Sequence, residues 1–509
     1  MFFRYFVVIF LFIIPHNLKS ASTVSPLQYG LKEAVTAIDR YWVLYRTHLA
    51  AKELGKDVSY CGIDSLEIEI PTDGKSIPLT HRTDFSNLKL NVKNNSKKIY
   101  LFELRGNSSK IHIDAKMVDS GDFSMVPQLN NGVRIVFLQD DNKWVDKRRG
   151  HNYGHIRKDI LYVKNGRALN KPISTYNNNA SKVSASYRVE DEKNIYFGNL
   201  KFYRKEENKQ VVNLVFIDKQ SNIMLRNIEC YTPDDYLTDD HVFSVYNCVN
   251  VRFDNVKIQG TYSHIDHSGY GIAMNNVWNV SFKNLVGHGN WGIFGTSNVS
   301  FISLKKCDIN RFDIHCYGKD IFFKDVIFRD LYNQFASTYG TVSFDKCKFI
   351  DFIPVGFGKS YNAYTSFDLY FRNCEFYSPV RNICFLIKTT GIFDSEINKR
   401  PELSVKGWPN ISIKGMKIYS QGDKFGRFYL FNFGLKINFD KIPSKIDIKN
   451  LEFFPNRNVK FLRSSFFAPF TDANSIHAKY LLWMIRICTI SLFLGSILLF
   501  IRAKRYEKN

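Results

Sequence analysis

Asn250-Val251-Arg252-Phe253-Asp254-Asn255-Val256 and, 29 residues on, Asn279-Val280-Ser281-Phe282-Lys283-Asn284-Leu285 are two copies of one phrase. A polar residue, usually Asn, opens it; apolar and polar residues then alternate, and a second Asn often follows. The phrase returns as Asn194-Ile195-Tyr196-Phe197, Asn222-Ile223-Met224-Leu225, Asn298-Val299-Ser300-Phe301, Asp320-Ile321-Phe322-Phe323, Thr341-Val342-Ser343-Phe344 and Asp368-Leu369-Tyr370-Phe371. Degenerate copies start at Asn410 and Lys445. From Asn194 to Asp368 the intervals are 28, 28, 29, 19, 22, 21 and 27 residues. Alternation with period two is a strand signal. A repeat of this length, without helical periodicity between copies, describes coils of strand that bury their inner faces only by stacking. Asn-Gly hairpin turns are largely missing between copies, which argues against an antiparallel sandwich. The expected fold is all-β, a right-handed parallel β-helix, with Phe253, Phe282, Phe301, Phe323, Phe344 and Phe371 stacked inside.

Composition agrees. Phe (44) and Tyr (28) are abundant, which suits strands, and a 45% hydrophobic content excludes a disordered chain. The formal charge of +22 favours acidic partners. No basic cluster of nucleic-acid-binding type is present, so an acidic polysaccharide fits better than nucleic acid. Of the nine Cys, none has zinc-site spacing. Cys347 and Cys374 share one inward repeat position and read as a buried thiol ladder.

The ends have a different character. Residues 1–21 carry Arg4, an apolar run from Phe6 and then small residues, the layout of a secretory signal. Residues 480–501 are apolar except for Arg486, long enough for a transmembrane helix, and the basic tail 502–509 would stay cytoplasmic. The body is thus expected outside the cytoplasm, periplasmic or at the cell surface, held to a membrane; a cleaved sorting signal is the other reading. Between the ends, residues 22–110 form the N-terminal cap and entry strands, 111–455 the β-helix and 456–479 a juxtamembrane linker. Within this body, residues 105–190 repeat poorly and read as irregular early coils with a loop. Leu31–Leu54 has the pattern of an amphipathic helix, suited to covering the open edge of the first coil.

The order Tyr29-Gly30, Ala34, Ala37-Ile38, Ala50-Ala51, Gly55, Val58, Ile68-Glu69-Ile70-Pro71, Gly74 and Ile77-Pro78-Leu79 resembles the entry segment of pectin-lyase-like β-helix proteins. That family includes pectate lyases, polygalacturonases and phage tailspikes. The resemblance implies a capping helix, a first strand and a β-helix over residues 28 to 455. It also implies action on, or binding to, a polysaccharide.

Aligning the copies gives a second short strand with outward pairs around one inward residue. The pairs are Gly271 and Ala273, Gly292 and Phe294, Asp313 and His315, Gln334 and Ala336, Gly356 and Gly358. Only one coil is ionisable there, so Asp313 and His315, with Arg311 close by, are the first candidate site. Asp308, Asp330 and Asp351 form a second column after Gly260 and Gly289; with His288 it could supply a glycosidase carboxyl or hold Ca²⁺. Asp at a turn also caps local backbone without any further role. The groups His264, Asp266, His267 and Asp234, Asp235, Asp239, Asp240, His241 fall in loops. Three enzyme chemistries fit: hydrolysis by two carboxyls, and elimination or C5 epimerisation with His315 or His288 as base and Arg311 as charge stabiliser. The alternative is a non-catalytic glycan-binding, adhesive or structural protein of a polysaccharide export system.

Overall fold

Three αL asparagines explain how one strand becomes a coil. Within His241–Gln259 the residues Asn247, Asn250 and Asn255 all have φ near +50 to +57. Asn tolerates this conformation because its short side chain bonds locally. Each one bends the chain without ending the pairing, so a single strand crosses three faces. The first face runs through Phe243–Tyr246, the second through Val251–Asp254 and the third through Val256–Gln259. All three pair in parallel with the next strand, Tyr270–Gly287. The pattern continues through Gly292–Lys305, Asp313–Lys324, Thr338–Asp345, Ser366–Arg372, Asn410–Ser420 and Lys445–Phe454. This is a parallel β-helix. The computed structural model describes residues 23–477 except 96, 98, 146–154, 174, 177–182, 191–192, 206–210, 233–240, 260–269, 289–291, 330–331, 358–365, 379–382, 390–409, 421–426, 433–444, 455–459 and 464–475.

The bends stack as hydrogen-bonded ladders. Asn279 donates to Asn250 (2.7 Å) and Asn250 to Asn222 (2.9 Å). Asn276 donates to Asn247 (2.8 Å), and Asn255 to Asn227 (2.9 Å). Each such bond contributes about 1 kcal/mol. Inside, Phe253 stacks on Phe282 (4.7 Å), Phe323 on Phe344 (4.8 Å) and Phe344 on Phe371 (5.0 Å). Cys307, Cys347 and Cys374 are free, buried and bonded to backbone carbonyls two residues earlier. Burial pushes the Cys307 thiol up to about 11, which leaves it unreactive.

One rung differs from the sequence reading. The inner partner of both Phe282 and Phe323 is Leu304, not Phe301. Val280 pairs with Ile302, so Phe301 falls in the αL row above Asn279, with φ 57 and 50% exposure. The Asn-x-x-Phe spelling at Asn298 imitates the anchor three residues early, because Asn298 belongs to a different bend. A bulky side chain in the αL region costs about 1–2 kcal/mol, and Phe cannot continue the amide ladder. Phe301→Asn is therefore expected to stabilise the fold by about 1–2 kcal/mol in urea unfolding; a loss of stability would refute this reading of the ladder.

At the N-terminus the helix Ala37–Glu53 begins six residues later than the sequence pattern suggests. A capping box fixes its start: Thr36 Oγ1 accepts from Asp39 N (3.0 Å) and Asp39 accepts from Thr36 N (3.0 Å). Tyr41, Leu44, His48 and Ala51 face the first coil. Strands Ser65–Ile70, Arg82–Asn94 and Ile99–Arg105 follow as expected.

Residues 105–190 are not early coils, and the β-helix expected over 111–455 is interrupted. Ser109–Ile111, Val133–Val145, His155–Lys164, Arg167–Ala168 and Val183–Val189 form a separate antiparallel sheet. With the helix Ala115–Ser120 it has its own core, including Val118, Phe123, Leu129, Val136 and Leu161. Its strands pair as antiparallel neighbours and not as stacked equivalents of one coil, which is why no long-period repeat announces them. The sheet docks through Ile135, Phe137 and Ile160 on Val249 and Trp278, and through Ile173 on Cys316 and Tyr317. Lys158 N donates to Asn298 Oδ1 (2.8 Å) and Lys319 Nζ to Pro172 O (2.9 Å).

Among the described residues no helix is long and apolar enough to cross a membrane. The apolar segments expected as signal peptide (1–21) and transmembrane helix (480–501), and the tail 502–509, lie outside the described residues.

Candidate active site

On the first face, Asp313 pairs with Gln334, and Gln334 with Gly356, as the aligned copies suggest. Below them the register slips: Ile314 pairs with Thr296, three residues beyond the aligned Ile293, and Ile272 pairs with Phe294 and Ala273 with Gly295, one residue beyond. Phe294 is therefore buried core, and Gly295, not Gly292 or Phe294, is the small outward neighbour of the ionisable coil. That slip matters, because Gly295 leaves room for an aromatic ring. A Cβ on Gly295 would lie 2.4 Å from the ring of Tyr270. Tyr270 leans over this gap and reaches Asp313, 43 residues ahead in the chain.

The result is a compact cluster. Tyr270 OH lies 3.0 Å from Asp313 Oδ2 and 2.8 Å from His315 Nε2. Arg311 donates to the same Asp313 oxygen (2.7 Å) and to Gln334 Oε1 (3.1 Å). The Arg311 guanidinium lies over the Tyr332 ring, 4.4 Å from its centroid, and Thr296 Oγ1 donates to the Asp313 carbonyl (2.7 Å). On the other side, His241 Nδ1 is 3.2 Å from the Tyr270 carbonyl. The rings of His241, Tyr270 and His315 thus follow one another along the face.

Burial divides the labour. Arg311 and Asp313 side chains are each 1% exposed, while His315 is 20% exposed and Tyr270 half-buried. Burial opposes the charge on Asp313, but the adjacent Arg311 outweighs it and holds the carboxyl below the usual range. Asp313 is therefore an anion, an acceptor only. Tyr270 donates to it, and His315 can then donate to the Tyr270 oxygen. Arg311 lies beneath the surface as the counter-ion of Asp313, so the direct charge-stabilising contact with a ligand expected of it does not fit. The available groups are His315, Tyr270 and the amide NH₂ of Gln334, whose oxygen Arg311 occupies.

The second candidate column does not stack as the spacing suggests. Asp308 pairs with Ile327, and Ile327 with Lys348, so Asp351 sits three residues beyond the rung of Asp308. Asp308 lies on the third face, bound by Arg329 through Nε (2.9 Å) and NH2 (3.0 Å), with His288 Nε2 3.3 Å away. Partial burial raises its pKa, but the His288 and Arg329 bonds dominate and lower it. Its charge is thus already matched. Asp351 occupies an αL turn (φ 48). Among the described residues no three His, Cys, Asp or Glu side chains converge as a metal site. Asp330, Gly260, Gly289, Gly358, His264, Asp266, His267, Asp234, Asp235, Asp239 and Asp240 lie outside the described residues.

The strands of the first face begin at Val212, His241, Tyr270, Gly292 and Tyr332, at unequal distances after the strands of the third face that precede them. These unequal distances make the intervals irregular and hid Tyr270, the first residue of its strand. The pair Tyr270-Gly271 before inward Ile272, with Gly295 one coil later, is the signal that could have found it.

No protein-family model and no curated protein sequence matches the chain. Three solved structures follow a similar course. The tailspike gp49 of Pseudomonas phage LKA1 is 13% identical, with 87% of this chain and 83% of that one covered and a TM-score of 0.49. The Streptococcus pneumoniae surface adhesin PfbA is 10% identical over 90% and 94% (TM-score 0.37). The mannuronan C-5 epimerase AlgE4 A-module of Azotobacter vinelandii is 10% identical over 87% and 100% (TM-score 0.32). At these scores they stand as likenesses only, and the parallel β-helix fold rests on the strand register described above.

Proposed function

We propose that the chain is a polysaccharide-modifying enzyme that removes the C5 proton of a uronate residue, acting as a lyase. The observation that carries this is the Tyr270 hydroxyl, held between His315 and ionised Asp313 at the surface of the first face. Hydrolysis with two carboxyls fits less well: the cluster, as far as the described residues form it, contains one carboxylate, buried and matched by Arg311. Proton abstraction beside a carboxylate needs a base, a proton donor and hydrogen bonds to the charge that develops. Tyr270 and His315 supply the first two: His315, entering as the neutral imidazole, takes the C5 proton, Tyr270 gives its hydroxyl proton to the departing oxygen, and the imidazolium then returns a proton to the Tyr270 oxygen 2.8 Å away. The amide of Gln334 is placed for the third. With Tyr270 OH and His315 Nε2 only 2.8 Å apart, base and acid approach the sugar from one side. That favours elimination, in which the proton is passed to the departing oxygen. Epimerisation needs a second donor across the ring.

The charge of +22 supports an acidic glycan. The apolar ends of the sequence support a body exported from the cytoplasm and held to a membrane, and the crossover rule supports right-handed coils. The test is incubation with polyuronates while following ultraviolet absorbance of the unsaturated product beside reducing ends. Both should rise together. New reducing ends without absorbance would assign a hydrolase; binding with no turnover would return the adhesive reading.

A further inference from the structure

The second face carries a feature that the candidate site does not use. Lys283, Lys305 and Lys324 pair rung to rung and are all exposed. Directly opposed like charges on adjacent strands are destabilising, and their spacing is about 4.8 Å. Lys324 reaches Asp345 at 3.9 Å. Among the described residues neither Lys283 nor Lys305 has an ion-pair partner. Beside this row runs another, Ser281, Ser303 and Phe322. Beyond that lies Phe301, the residue that interrupts the amide ladder, with its ring 5.8 Å from that of Phe322. Tyr317 is the other aromatic residue with positive φ among the described residues. Its conformation is accounted for by burial under the inserted sheet, against Ile173. Phe301 has no such cover.

Two local costs therefore coincide on three consecutive coils: a row of directly opposed cations, of which Lys283 and Lys305 have no ion-pair partner among the described residues, and a strained, exposed aromatic. Departures from local rules concentrate where function requires them. We propose that this face is a second glycan-binding surface, which holds a polyuronate chain along the helix axis away from the reactive cluster. Carboxylates would meet Lys283, Lys305 and Lys324. Sugar faces would pack on Phe301 and Phe322, and Ser281 and Ser303 would leave a floor with hydrogen-bonding capacity. Asp254 and Asp345 bound the cationic row at either end, which limits it to a narrow linear ligand and disfavours a nucleic-acid duplex or a membrane plane. The choice of polyuronate rests on the proposed function; the surface itself does not depend on turnover.

Binding of fluorescein-labelled polygalacturonate and alginate to the full chain tests this, with single-stranded DNA, anionic vesicles and neutral pullulan as comparators. Lys283→Gln/Lys305→Gln and Phe301→Asn should each weaken polyuronate binding at least tenfold, the former with a shallower salt dependence. Neither should lower the unfolding midpoint, and Tyr270→Phe should leave the affinity intact. Unchanged affinity in both surface variants, no polyuronate binding by the wild type, or equal binding of DNA, vesicles or pullulan would overturn the proposal. Loss of turnover with intact surface binding would count against the reactive cluster alone.

Discussion

Tyr270→Phe is expected to reduce turnover by about 10²–10⁴-fold, the range for removing a positioned acid or base. The phenyl ring would still lie over Gly295 and beside His315, so the fold should be kept, with a loss of about 1–3 kcal/mol from the hydrogen bond to Asp313. The loss should appear in kcat, with KM little affected, because the hydroxyl acts on the proton in flight and not on the bound sugar's bulk. Gly295→Ala provides a second approach to the same oxygen. A methyl group 2.4 Å from the Tyr270 ring forces the ring to move, so activity should fall although no reacting group is altered. If Tyr270→Phe keeps wild-type kcat, the tyrosine is only structural and the assignment of roles in the cluster is wrong.

Arg311→Met is expected to cost about 3–5 kcal/mol of stability, since it leaves Asp313 buried without its counter-charge. Both side chains are 1% exposed and joined at 2.7 Å, so solvent screens the pair little. Arg311→Met/Asp313→Leu should recover much of the loss, because removing both charges also removes the desolvation penalty. Urea unfolding of the two variants checks this, and equal losses in both would contradict it. The pair also gives stability a pH dependence. The folded Asp313 pKa is depressed from 3.8, so its contribution is complete above the unfolded value. It is lost as pH falls below 3.8 through the folded value. The Arg311→Met/Asp313→Leu variant should lose less stability than the wild type across that acid range.

The fold was legible because stacking imposes the same demand on every coil. Asn250 and Asn279 sit at equivalent αL bends, and Phe253 and Phe282 at equivalent core rungs, so the chemistry repeats in the sequence. Reading failed where a rung was spelled differently. Asn298 with Phe301 imitates the anchor, whereas the true rung, Ile302 with Leu304, lacks both Asn and Phe. The antiparallel sheet of residues 109–189 has a private core and no coil-length period, so nothing in the repeat could reveal it. At the candidate site, Asp313, His315 and Arg311 were visible as the ionisable members of an otherwise uncharged position. Tyr270 was not, because its approach depends on Gly295 and on a three-residue slip that only the pairing shows. Asp308 and Asp351 looked stacked because the count ran from Asn298, three residues before the true anchor position at Phe301; counted from Phe301, Asp308 falls on the rung of Ile327 and Lys348.

The central claim is that this surface takes a proton from C5 of a uronate. The most direct measurement is proton NMR of polyuronate oligosaccharides incubated with the protein in D₂O. The account predicts loss of the C5 proton signal, through an unsaturated product or through exchange, with the wild type and not with Tyr270→Phe. Chain cleavage with the C5 proton fully retained, or retention of that proton across polyuronates that the protein demonstrably binds, would contradict it.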